Sequence, residues 1–237
     1  TVANISGLVM VLFFVGLVAA GFLYRNSTAQ TEPVEGDSFQ RASNVPQDME
    51  IPRNLGAKTS GDDGVFRSPF SIYSDANSPD NHYVPSGWMG DFGDIKLNEK
   101  YTEKPHSGTT SMQIVYSNNA SQGARWAGTY WQNPPNNWGT RPGGYDLTGA
   151  RKLTFWARGD KGGERVEEFK IGGITGEYAD SDVAGIGPAV LTTEWQQFTI
   201  DLEGRDLSSI SGGFCWATNL DVNPDGATFY LDDIRYE

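Results

Sequence analysis

Cysteine and histidine are almost missing from this chain of 237 residues, which contains one Cys and two His. A single thiol excludes an internal disulfide framework and any metal site built from several thiolates. His82 and His106 stand in no metal-ligand spacing, and the sequence has no Gly-x-Ser-x-Gly or phosphate-binding loop. We therefore expect a protein that is not an enzyme, with Cys215 buried and unreactive in its apolar stretch.

Basic residues are also scarce, since 18 Lys and Arg stand against 30 Asp and Glu, giving a formal charge of −12. Nucleic acids and anionic lipid surfaces attract proteins through Lys and Arg, so neither is expected as a partner. The chain length leaves room for one domain of ordinary size beside an N-terminal segment.

That N-terminal segment lacks charged side chains as far as Tyr24. Residues 5–24 are apolar or small, and as a helix this run spans roughly the 30 Å hydrocarbon core of a bilayer. We predict a retained transmembrane anchor over residues 1–25, single-pass, with the C-terminal domain on the extracytoplasmic, periplasmic side. Gly16 and Ala20 form a small-xxx-small pair that would let another membrane helix approach closely.

Residues 26–68 show no sustained period of 2 or 3.6 and are rich in Ser, Thr, Asn, Gln and acids. Pro33, Pro46 and Pro52 would interrupt any long helix. We predict an extended polar linker, ordered only where a partner surface holds it.

From residue 69 to 237 the pattern is that of an all-β domain, in which short alternating runs are separated by Gly, Asn, Asp and Pro. The runs predict strands over residues 70–74, 94–98, 111–116, 124–131, 152–158, 166–171, 195–201, 213–218 and 228–236. Only residues 206–210 suggest a short helical turn. Strands at this spacing predict a two-sheet jelly-roll sandwich.

Two strand patterns carry more detail. Alternation in the run from Leu153 to Arg158 places Leu153, Phe155 and Ala157 on one face of a strand and Thr154, Trp156 and Arg158 on the other. In the last strand, Asp232 and Asp233 interrupt an apolar alternation, and such acids need partners when they are buried.

Several of these segments resemble β-jelly-roll carbohydrate-binding modules with a galactose-binding-like fold. The resemblance is carried by residues 108–116, 143–159, 193–202 and 229–236, and covers about residues 70–237. It implies a structural Ca²⁺ bound by Asp232 and Asp75, with carbonyl oxygens around Ser107 and Gly108. The alternative is that Asp232 caps a turn or pairs with an Arg.

The seven tryptophans all follow residue 87, and indole rings stack well on the C–H faces of sugars. The predicted loop at residues 85–91 and the segment 126–138 combine aromatic residues with amides and acids. Trp88, Asp91, Tyr130 and Trp138 are therefore candidate ligand-binding residues. The loop aromatics could equally serve a protein contact or internal packing.

These observations leave two hypotheses about the function. In the first, the chain is a scaffold subunit of a larger bacterial membrane complex, such as a photosynthetic reaction-centre–antenna or respiratory complex, in which the jelly roll docks on other membrane-protein subunits. The retained anchor and the absence of catalytic motifs favour it. The alternative is a membrane-tethered glycan-binding module of the cell envelope, which the resemblance and the loop tryptophans favour.

Overall fold

The computed structural model describes residues 66–237. The predicted anchor at residues 1–25, with Gly16 and Ala20, and the linker up to residue 65 lie outside the described residues. Between residues 66 and 237, no helix has the length and apolar character needed to cross a membrane.

Thirteen β-strands make up nearly all of the regular structure in residues 66–237, with one 3₁₀ turn at Phe92–Asp94. The strands are β1 (Phe70–Tyr73), β2 (Val84–Gly90), β3 (Ile95–Tyr101), β4 (Ser111–Tyr116), β5 (Trp126–Gln132), β6 (Lys152–Gly159), β7 (Arg165–Val166), β8 (Glu168–Gly172), β9 (Val183–Ile186), β10 (Ala189–Val190), β11 (Gln196–Asp201), β12 (Gly212–Asn219) and β13 (Ala227–Tyr236).

The strands form two main antiparallel sheets. A six-stranded sheet has the order β11-β6-β13-β4-β3, with β1 added beside the end of β13, and a five-stranded sheet has the order β2-β5-β12-β8-β9. Strands β7 and β10 form a separate two-stranded ribbon. The all-β, two-sheet architecture predicted from the sequence is confirmed, and it is consistent with a jelly-roll sandwich.

The core lies between the two sheets, and β6 shows why the sequence folds this way. Leu153, Phe155 and Ala157 are fully buried, as the alternation predicts. The Phe155 ring lies 4.7 Å from the ring of Phe169 and 5.2 Å from that of Phe214, both in the opposite sheet. A fully buried Leu or Phe side chain stabilises the fold by roughly 1.5–3 kcal/mol through the apolar surface that it removes from water.

The predicted interruption in the last strand is a β-bulge. Asp232 lies opposite Trp156 but Arg235 lies opposite Thr154, so the register shifts between them. Asp233 takes a φ of 48°, in the left-handed region. The extra residue returns Ile234 and Tyr236 to the core, as a bulge does when it changes which side chains face inward.

Three sequence predictions need correction. The segment around Trp88, predicted as a loop, is strand β2, which pairs with β5 at a sheet edge. Strands β9 and β10 were not predicted. The helical turn predicted for residues 206–210 is wrong, because Ile210 forms a β-bridge with Tyr145 and the Leu207 carbonyl accepts from the Leu147 N–H.

Candidate functional site

The outer face of the five-stranded sheet gathers exposed aromatic side chains. Trp131 of β5 faces the core. Because side chains alternate along a strand, Trp126, Gly128 and Tyr130 lie on the opposite, outer side of β5. Neighbouring strands add residues that the register places on the same side. We call this the β5 face, and its members are Met89, Trp126, Gly128, Tyr130, Trp138, Glu168 and Lys170.

Two tryptophans of the β5 face are exposed, Trp126 by 41% and Trp138 by 38%. Trp138 comes from the loop after β5, and its ring stands edge-on to that of Tyr130, with centroids 5.9 Å apart. Its indole N–H donates to Asn136 Oδ1 at 3.1 Å, which fixes the ring orientation. Trp126 lies four residues before Tyr130 on the same strand, about 13 Å away at ~3.3 Å per residue. The two exposed rings therefore stand well apart on one face.

Tyr130 connects this face to the framework of the sheet. Its hydroxyl donates to the Gly172 carbonyl at 3.0 Å, and burial raises its pKa. Lys170 Nζ lies 5.7 Å from the ring centroid and forms an ion pair with Glu168 at 2.8 Å. Cys215, the cross-strand neighbour of Tyr130, is buried with a raised thiol pKa, as expected.

The surface between the two aromatic positions is built from small groups. A Cβ on Gly128 would lie 2.6 Å from the Trp216 carbonyl oxygen and 2.9 Å from Met89 Cε. The methyl group of Met89 therefore lies against Gly128. Beside the face, a groove of about 440 Å³ is lined by Glu167, Glu168, Gly185, Ile186 and Gly187.

Of the predicted residues, Trp88 lies on the other side of the sheet. The register of β2 shifts between Pro85 and Gly87, so Trp88 pairs with Thr129, which shares the inner face with Trp216. Trp88 is half-buried there. The structure brings Tyr130 and Trp138 together but does not bring Trp88 to them. Ligand binding by Trp88 stays a prediction.

Asp91 is fully buried beneath the loop that leads into β5. Its carboxylate accepts from the backbone N–H groups of Gln122 and Ala124, both at 2.9 Å, and of Arg125 at 2.6 Å. Three charge-assisted bonds to the residues preceding Trp126 fix where that strand begins. Asp91 thus positions Trp126, and direct ligand contact by Asp91 stays a prediction.

Trp126 itself was not among the residues predicted from the sequence. Its signal was present, since Trp126, Gly128 and Tyr130 are spaced by two, but which side of the strand faces solvent depends on the partner strands.

The two predicted calcium ligands hold one loop. Asp75 Oδ1 accepts from the N–H groups of Thr109 at 2.9 Å and Thr110 at 2.7 Å, and both threonine hydroxyls donate to it as well. Asp232 Oδ2 accepts from the N–H groups of His106 at 2.9 Å and Ser107 at 3.3 Å.

These contacts do not fit a calcium ligand set, because backbone N–H groups, which carry positive partial charge, point at both carboxylates. Within residues 66–237, no group of three or more His, Cys, Asp or Glu is arranged to hold a metal ion. Calcium at Asp75 and Asp232 stays a prediction from the sequence.

No family model and no curated protein sequence matches the chain. Among solved structures, a family 30 carbohydrate-binding module aligns with 71% of this chain and 98% of its own, at 18% identity and a TM-score of 0.48. The family 30 module of a cellulosomal cellulase of Clostridium thermocellum covers 71% and 96%, at 18% identity and 0.46. A family 11 module of a cellulosomal cellulase of the same organism covers 69% and 91%, at 14% identity and 0.43.

Proposed function

We propose that the described domain is a non-catalytic glycan-binding module whose ligand lies along the β5 face. The observation that carries the proposal is the pair of exposed tryptophans, Trp126 and Trp138, held apart on one face of a rigid sheet. Sugar rings offer apolar C–H faces to indole rings, and two separated indoles can contact different sugar units of one chain.

The remaining groups of the face suit such a ligand. Lys170 and Glu168 supply a donor and an acceptor beside the aromatic positions, and their side chains keep 24% and 45% of their exposure. A few placed polar groups on a mainly apolar surface are what fixes the orientation of a bound small molecule. Both tryptophans are held in place before a ligand binds. The hydrogen bonds of Asp91 position the loop before Trp126, and Asn136 accepts from the indole N–H of Trp138. Binding therefore costs these two side chains little conformational entropy.

A glycan array with the full chain, followed by calorimetry on the best ligand, tests the proposal. Replacing Trp126 or Trp138 with Ala should weaken binding at least tenfold with little loss of folding stability, since both rings are exposed. Trp88→Ala is the comparison variant: Trp88 lies on the other side of the same sheet, so a folded Trp88→Ala chain should keep its affinity if the ligand lies along the β5 face. Absence of any bound glycan, or binding that survives both replacements, would overturn the proposal.

The membrane-complex scaffold hypothesis depends on the anchor and the linker, which lie outside the described residues. Attachment to a membrane, a periplasmic location and contacts with other membrane-protein subunits stay predictions. Extraction of native membranes in mild detergent, followed by identification of co-migrating proteins, tests them independently of glycan binding.

A further inference from the structure

Arg158 is an almost fully buried cation on the outer face of the other, six-stranded sheet. Its exposed fraction is 7%. The guanidinium carbon lies 3.7 Å from the ring centroid of Tyr230 and 5.2 Å from that of Trp195. Both rings belong to strands or strand ends beside β6, so Arg158 lies between two aromatic walls. We call Arg158, Tyr230 and Trp195 the Arg158 site.

The guanidinium has no anionic partner among residues 66–237. Nε of Arg158 is buried and makes no hydrogen bond, and no described side chain forms an ion pair with this group. Asp160, which bonds to Tyr230, and Asp232, two residues further along β13, have other partners. Asp160 accepts from the Tyr230 hydroxyl at 2.9 Å, and Asp232 accepts from backbone N–H groups.

An arginine offers five N–H donors in a planar fork, and burying it unpaired costs free energy. Cation–π contacts offset part of that cost, but they leave the in-plane donors unused. Nε is the one nitrogen of Arg158 that is both fully buried and unpartnered, so the terminal nitrogens reach the surface. The open side of the fork is therefore where an anion can approach.

The two walls are fixed before any ligand arrives. The Tyr230 hydroxyl donates to Asp160 and also receives a hydrogen bond from Gln113 Nε2 at 3.3 Å. The Trp195 indole N–H donates to the Lys104 carbonyl at 3.0 Å. A preorganised fork between rigid walls loses little conformational entropy on binding.

We propose that the Arg158 site binds the carboxylate of an acidic sugar, of the uronic acid class, with the sugar ring against Trp195. A carboxylate matches the planar fork and can accept two parallel hydrogen bonds. The half-buried Trp195 offers an apolar surface for the attached ring. The formal charge of −12 disfavours a long polyanion, so the ligand is a single acidic residue and not a polyuronate chain. This second site does not depend on the β5 face.

The test is an NMR titration of the ¹⁵N-labelled full chain with glucuronate, with glucose and acetate as separate probes. Glucuronate should shift the Arg158 Nε–H and Trp195 indole N–H signals and leave the Trp126 indole signal unmoved. Glucose, which lacks the carboxylate, should leave the Arg158 and Trp195 signals unmoved. Acetate should bind at least tenfold more weakly than glucuronate, because it cannot contact Trp195.

Variants then assign the binding to the fork. Arg158→Gln should weaken glucuronate binding at least tenfold, while Arg158→Lys, which keeps the charge but not the fork, should retain part of it. Arg125→Gln, at an exposed arginine paired with Asp221, is the matched control and should bind like the original chain.

Three results would overturn the proposal: no shift at Arg158 and Trp195 with glucuronate, equal binding of acetate, or unchanged binding in a folded Arg158→Gln variant. The wild-type titration decides the matter even if Arg158→Gln does not fold. If replacing Trp126 and Trp138 does not affect the binding of neutral glycans, the proposed function fails, but the glucuronate results are unchanged. The two proposals can therefore fail separately.

Discussion

Asp91 and Trp126 are joined by a backbone hydrogen bond, in which the Asp91 N–H donates to the Trp126 carbonyl at 2.7 Å. The Asp91 carboxylate meanwhile holds three N–H groups of the loop just before Trp126. One buried acid thus controls both the position of an exposed indole and the start of β5. The stability of that loop and the geometry of the β5 face are coupled through it.

Replacing Asp91 with Ala should therefore lower both stability and glycan binding. The change removes the buried acceptor of three loop N–H groups, and each lost charge-assisted bond costs about 1–3 kcal/mol. We expect an unfolding free energy lower by at least ~2 kcal/mol and weaker binding on the β5 face, measured by urea unfolding and calorimetry. Asp221→Asn, at an exposed acid paired with Arg125, should change neither by a measurable amount. Unchanged stability of Asp91→Ala would contradict this role.

Gly128 should not tolerate a side chain. An added Cβ would come within 2.6 Å of the Trp216 carbonyl oxygen, which belongs to the paired strand β12 and cannot move without distorting the sheet. Gly128→Ala should cost about 1–3 kcal/mol of stability. The control is Gly93→Ala, where the nearest atom, at 2.8 Å, is the end of the flexible Gln122 side chain. Equal melting temperatures for the two variants would show that β5 and β12 separate more easily than the packing indicates.

The strands that the sequence predicts best are those in which apolar and polar residues alternate, such as β6, because this pattern lies within the strand itself. Strand β2 was not predicted, since Val84–Gly90 contains Pro and two Gly and has the composition of a loop. It is a strand because β5 offers it a free edge, and Pro is tolerated at an edge where no ladder hydrogen bond is needed. That information lies in another part of the chain.

The same limit applies to the candidate site. Tyr130 and Trp138 come from one predicted segment and do contact each other. Trp88 lies on the other side of the sheet because of one bulge in β2. Had β2 paired without the register shift between Pro85 and Gly87, Trp88 would lie opposite Gly128 on the β5 face. A one-residue shift decides the face, and no local pattern encodes it.

Folding stability should decrease as the pH rises from about 5 to 7.5. Burial, together with the Asp233 carboxylate, raises the pKa of Asp232 to about 7, and burial raises that of Glu99 to about 7. Burial also raises the pKa of Asp180. The folded state therefore holds more protons than the unfolded chain between the ordinary carboxyl pKa and about 7, so stability is lost as the pH rises through that window.

Groups with lowered pKa act at the other end of the scale. Lys152 and Arg235 lower the pKa of Glu237 to about 2, so its contribution to stability is present above the ordinary Glu pKa and is lost on acidification.

The buried carboxyl groups are tested by melting temperatures from pH 5 to 7.5, which should fall by several degrees. Glu99→Gln should make the melting temperature depend less on pH. The exposed Glu194→Gln should leave the slope unchanged. A melting temperature that rises over this range would contradict the buried carboxyls as the controlling groups.

Calcium should not stabilise the described domain. Asp75 Oδ1 and Asp232 Oδ2 already accept from the amides of residues 106, 107, 109 and 110. The second oxygen of each carboxylate accepts as well, from the N–H groups of Thr109 at 3.3 Å and Asp233 at 2.9 Å. A carboxylate oxygen aimed at an N–H donor cannot offer the same lone pair to Ca²⁺, so binding would require the loop to reorganise. We expect equal melting temperatures in millimolar CaCl₂ and in EDTA, measured at one pH above 7 so that the acids are ionised in both. A rise with calcium that disappears in both Asp75→Asn and Asp232→Asn would instead establish the metal site predicted from the sequence, and would mean that the loop changes its partners when the ion binds.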